Sequence, residues 1–150
     1  MISVDASAAL IANELPSSPR DTRPMPRAGN RFVGTYLCSQ GETKLTIVID
    51  EVGHDGDDLP VEARFEFLFE RPRGQGDDVR GAYRMSGRYD MKTRRLALKG
   101  GDWIGPPPAN YVPVDIRGSL GKSGDTYNGT IDTKGCTTFD TKLDPATAGH

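Results

Sequence analysis

Val61-Glu62-Ala63-Arg64-Phe65-Glu66-Phe67-Leu68-Phe69-Glu70 decides the fold of this 150-residue chain. Every second residue from Val61 is apolar, and all but Leu68 of those between are charged, a period of two that buries one face of a strand and wets the other. Leu45, Ile47 and Ile49 give a second such face, and Leu96 with Leu98 a shorter third. Turn-rich clusters at 39–43, 53–58, 73–78 and 121–125 separate the runs. About eight antiparallel strands are expected, over 32–38, 43–51, 60–70, 79–89, 94–99, 111–120, 125–133 and 136–143.

A weak internal repeat narrows the architecture. Phe32-Gly34-Tyr36, Met85-Gly87-Tyr89, Ile116-Gly118-Leu120 and Tyr127-Gly129-Ile131 each put a glycine between two apolar residues of the same phase. Interior glycine weakens an ordinary strand, so glycines recurring on the buried face mark sharp bends or room left for another side chain. Short loops joining strand to strand then favour an all-β, up-and-down barrel of about eight strands, with a β-sandwich as the alternative.

The chain carries 19 basic and 21 acidic residues, a formal net charge of −2, and a sequence pI of about 5.7. That balance excludes the net basic footprint of a nucleic-acid or anionic-membrane binder. With 18 glycines and 11 prolines, long helical bundles are excluded too, and 150 residues suit one domain. No apolar run approaches a membrane span, so a soluble protein is expected. No secretory signal is legible at the N-terminus, which makes the cytoplasm the default compartment. Three segments follow: 1–30, a short helix over 4–15 and a flexible, proline- and arginine-containing linker; 31–144, the barrel; and 145–150, a disordered tail.

Three strings, Gly34-x-Tyr36-x-Cys38-x-Gln40-Gly41, Trp103-Ile104-x-x-Pro107 and Gly135-Cys136-x-x-Phe139, carry a resemblance over residues 31 to 143. They resemble a small bacterial all-β domain that occurs alone or appended to caspase-like peptidase domains. That resemblance implies a peptidase as a partner. The glycine–tyrosine strands are also similar to lipocalin and avidin barrels, which implies a ligand cavity by analogy of fold alone.

Catalytic constellations are thin. There is no G-x-S-x-G elbow, phosphate-binding glycine loop or H-E-x-x-H, and His54 in Gly53-His54-Asp55-Gly56-Asp57-Asp58 fails the calcium-loop pattern and reads as a hairpin loop. No catalytic residue, metal site or cofactor is therefore expected. An enzymatic reading would rest on Asp102, Asp115 or Asp132 as a lone base near Tyr111. Arg80, Arg84 and Arg88 share the outer face of one strand and form an anion-binding candidate, with a salt-bridged exterior as the plainer account. The Asn128-Gly129-Thr130 sequon falls inside a strand and reads as accidental.

The contact residues gather in one loop, 100–111, too proline-rich for a central strand. Trp103, Ile104, Asn110 and Tyr111, with Gln40 nearby, either plug one end of the barrel or line a mouth for a ligand. The leading expectation is a non-enzymatic module that binds a small polar ligand or a protein segment there. The alternative is a partner or inhibitor of a caspase-like peptidase that reaches it with the extended segment 16–31. Cys38 ends the first barrel strand and Cys136 opens the last, and barrel closure makes those strands neighbours, so a disulfide between them is expected despite their differing phase. If that bond forms, export is expected rather than the cytoplasm.

Overall fold

The computed structural model describes residues 22–148. Eight antiparallel strands run in chain order around a closed barrel: β1 (Arg31–Cys38), β2 (Gly41–Val52), β3 (Asp58–Phe69), β4 (Val79–Asp90), β5 (Arg95–Trp103), β6 (Asp115–Leu120), β7 (Thr126–Asp132) and β8 (Cys136–Leu143). Pairing of β8 with β1, Phe32 opposite Leu143 and Tyr36 opposite Phe139, closes the sheet and rules out the sandwich. The expected helix over 4–15 and the expected linker up to residue 21 lie outside the described residues.

Inward phase and core coincide. Ile47, Ile49, Val61, Phe65, Tyr83, Tyr89, Leu96, Ile116, Tyr127 and Phe139 are all buried. The four repeat glycines share that inward phase, and their reason is the neighbouring backbone. A Cβ on Gly34, Gly87 or Gly129 would fall on the carbonyl of Asp140, Ala97 or Arg117. At Gly118 it would also come within 2.9 Å of Phe139 Cζ, whose ring fills the vacated space. The strands coil too tightly at these points for any side chain.

Two boundaries differ from the sequence reading. β5 continues to Trp103, because one extra residue on β5 between the pairs Tyr83–Trp103 and Met85–Gly100 lets the strand turn through Gly100 and Gly101 and resume pairing. Trp103 is thus a strand residue, outside the loop assigned to it. β6 starts at Asp115, four residues later than expected, since Pro113 leaves its approach without a ladder donor.

One barrel end is sealed by the chain before β1. Tyr89 Oη donates to Pro24 O (2.6 Å), Gly29 N to Ile49 O (2.7 Å) and Ile49 N to Asn30 O (2.9 Å). Met25 packs on the core, and Arg23 pairs with Asp57 at 3.2 Å in the β2–β3 loop. Buried Asn30 is the fastener: its Oδ1 accepts from Arg27 N and its Nδ2 donates to Thr147 O, each at 2.9 Å. Hence residues 24–30 of the expected flexible linker are fixed to the barrel. The start of the expected tail is fixed too, as a 3-10 turn over Pro145–Thr147 whose Thr147 Oγ1 accepts from Arg31 N.

Candidate functional site

The opposite end is hollow. The β1–β2 turn, the 104–114 loop and the β7–β8 turn surround a cavity of about 170 Å³. Its apolar wall is built from inward residues of adjacent strands: Tyr36 of β1, Phe65 and Phe67 of β3, and Tyr83 of β4. Tyr83 stacks on Phe65 with ring centroids 4.8 Å apart, and Tyr36 leans on the same ring at 5.5 Å. Tyr111 lies over them, its ring stacked on Phe67 at 5.4 Å.

Three features hold the overlying loop. Asn110, at φ +66°, turns the chain so that Tyr111 points inward. Val114 N donates to Tyr83 Oη at 3.1 Å, and Gly100 N donates to Asp115 Oδ1 at 2.9 Å, tying the loop's exit to β4 and β5. Gln40 Nε2 donates to Tyr111 Oη at 3.3 Å across the opening. The loop therefore both covers the barrel and lines a mouth.

Polar groups divide between depth and rim. Burial pushes the Tyr36 hydroxyl up to about 12 and raises that of Tyr83, so both are neutral donors at ordinary pH. Tyr83 Oη already accepts from Val114, which leaves its own proton free to donate. Thr43, opposite Tyr36 on β2, is fully buried, and among the described residues its Oγ1 has no partner in good hydrogen-bond geometry; its nearness to the Tyr36 hydroxyl on the same inner face partly offsets the rise that burial causes there. At the rim stand Gln40, Asn110, Thr133 and Lys134, and among the described residues Lys134 is the one formally charged side chain of the lining.

Of the sequence candidates, Gln40, Asn110 and Tyr111 come together at this cavity. Trp103 stands behind its wall, edge-on to Tyr83 at 5.3 Å and Phe67 at 6.2 Å. Ile104 is placed elsewhere: its N–H bonds Ala82 O (2.8 Å), and its side chain borders an outer depression beside Arg64 and Arg84. Sequence reasoning missed Tyr36, Phe65, Phe67 and Tyr83, although each is an inward aromatic near the hollow end of its strand. Lys134, in a turn, carried no signal.

Of the arginine stripe, Arg88 is the member held in ion pairs among the described residues. Arg88 pairs with Asp55 and Asp58 at 3.4 Å each, and Arg84 shares its depression with Asp50, Glu51 and Glu62. Arg80 is exposed at the start of β4. Asp115 and Asp132 are register partners on the outer face, away from Tyr111 in the mouth, and Asp102 is exposed on β5.

Cys38 and Cys136 form the disulfide and lie at the cavity's edge. Their phase mismatch is absorbed by an irregularity in the seam: two steps on β1, Tyr36 to Cys38, match three on β8, Phe139 to Cys136. No helix among the described residues is long and apolar enough to cross a membrane. Compared with known proteins, the chain matches no family model and no curated sequence.

Proposed function

We propose that the protein is a non-enzymatic binding module that takes a small molecule, about one ring in size, into the mouth beneath Tyr111. The observation that carries this reading is the asymmetry of the two ends: Pro24 to Asn30 seal one, and the other holds an aromatic-walled cavity with a polar rim. Apolar walls with a few convergent polar groups are the usual make-up of a small-ligand site. The volume of about 170 Å³ compares with the roughly 150 Å³ of an apolar cavity that admits benzene. Gln40, Asn110 and Lys134 then meet the ligand's polar group, and Tyr36 and Tyr83 offer donors from within.

Trp103 is the only tryptophan and touches two wall rings, so its emission reports on the cavity. Titration with single-ring acids, alcohols and amines should shift that emission saturably, and Tyr111→Ala should abolish the shift. Silence across all three classes would overturn the reading. The peptidase-partner reading draws less support, because residues 24–30 of its extended segment are bonded to the barrel and not free to enter a groove. The disulfide favours an oxidising compartment, hence export, over the cytoplasm.

A further inference from the structure

Independently of the mouth, the outer surface of β5, β6 and β7 holds a trough of about 400 Å³ whose polar side chains can all donate. Two cross-strand rows face it, Arg95–Ser119–Asn128 and Ala97–Arg117–Thr130. Backbone at Gly118 and Gly129 forms a floor without side chains. Arg95 and Arg117 are diagonal neighbours, with Cβ atoms about 7 Å apart, which lets both guanidinium groups reach one anion between them. Among the described residues neither has an ion-pair partner, unlike Arg88 and Arg64. Asn128 borders the same trough, and because its Oδ1 accepts from Thr141 N at 3.0 Å its amide NH2 is the group left to donate. Ala97 and Arg117 also border an adjoining depression, which holds Asp115 and Asp132 together with Arg88 and Lys99.

We propose that this trough binds the sulfate or phosphate ester of a sugar. The two arginines suit a tetrahedral oxyanion, which accepts several charge-assisted hydrogen bonds at once. The trough exceeds the volume of a bare oxyanion, and the flanking Ser119, Thr130 and Asn128 groups suit the hydroxyls of an attached ring. No aromatic side chain lines it, so a nucleobase has nothing to stack on.

Backbone amide shifts on titration with glucose 6-sulfate, glucose 6-phosphate, glucose, inorganic sulfate and adenosine 5′-monophosphate test the assignment. At least one sugar ester should bind tenfold or more tighter than both glucose and inorganic sulfate, with shifts at Arg117, Ser119 and Asn128, and the two ester arms tell sulfate from phosphate. Arg95→Gln and Arg117→Gln should each weaken that binding by about tenfold or more. Arg80→Gln and Tyr111→Ala should leave it unchanged, and since every substituted arginine is exposed, unchanged thermal unfolding certifies the fold. Esters no tighter than glucose or inorganic sulfate, adenosine monophosphate binding as tightly as the esters, or no shift with any probe would each overturn the proposal.

Discussion

Removing the Cys38–Cys136 bond should cost the barrel a large share of its stability. The bond joins residues 98 apart in sequence, nearly the whole span of the sheet, so in the chain-entropy description it withdraws about 4.7 kcal/mol of loop-closure freedom from the unfolded chain. A domain of this size has about 5–15 kcal/mol in total, and each kcal/mol moves its unfolding temperature by about 3–5 °C. Cys38→Ala/Cys136→Ala should therefore unfold about 14–24 °C below the parent. The loss should arise mainly in the unfolded state, because seam pairing from Phe32–Leu143 to Tyr36–Phe139 survives without the sulfurs. Scanning calorimetry supplies the temperature. Hydrogen exchange supplies the location: Ser39 N–H, which donates to Gly135 O beside the bond, should lose protection first. A fall of less than about 5 °C would refute the entropic argument, and two alkylatable thiols in protein purified without reductant would refute the bond itself.

Three further perturbations address other parts of the barrel. Asn30→Ala removes the fastener between the entering and leaving chain and should cost about 1–3 kcal/mol, read from the urea midpoint; a loss under about 0.5 kcal/mol would mean that water replaces it. Gly129→Ala drives a methyl group into the Arg117 carbonyl and Gly118 Cα and should destabilise by at least about 2–3 kcal/mol or prevent folding, and near-parent stability would show that the β6–β7 coil relaxes freely. Burial raises the hydroxyls of Tyr36 and Tyr89 to about 12, and those of Tyr83 and Tyr127 as well, from an ordinary value of 10.0. Above pH 10 the unfolded chain gives up these protons while the barrel keeps them, so stability is intact below pH 10 and falls as pH rises toward 12. Phenolate absorbance at 295 nm from these four rings should rise together with loss of the barrel's circular dichroism; ionisation near pH 10 in an intact barrel would contradict their burial.

The strand pattern was readable because burial in a barrel is one-sided, and β3 from Val61 to Phe69 writes that alternation almost without interruption. Trp103 was misplaced for a local reason: the extra residue on β5 shifts phase inside a Gly-Gly stretch that mimics a turn. The glycine repeat was legible as a set of bends, whereas its cause, Gly129 lying against Gly118 and Arg117, belongs to cross-strand register, which no single strand encodes. The mouth was half legible. Tyr111 and its neighbours stood out as contact residues, but which end is hollow depends on Pro24 reaching Tyr89, 65 positions away. The arginines followed the same logic: counting along β4 finds Arg80, Arg84 and Arg88, while the two that line one trough, Arg95 and Arg117, sit on two different strands.

The hydrogen bond from Asn30 to the Thr147 carbonyl means that the chain enters and leaves the barrel at nearly one point, on the sealed side. Such a unit can be spliced into a loop of a host protein, or rejoined end to end and reopened in the exposed 71–78 loop, without pulling any strand from its neighbours. In the spliced form the tether lies at the pole opposite Tyr111, so the host would hold the mouth outward, like a cup by its base, whereas ends opened at 71–78 would lie on the mouth side.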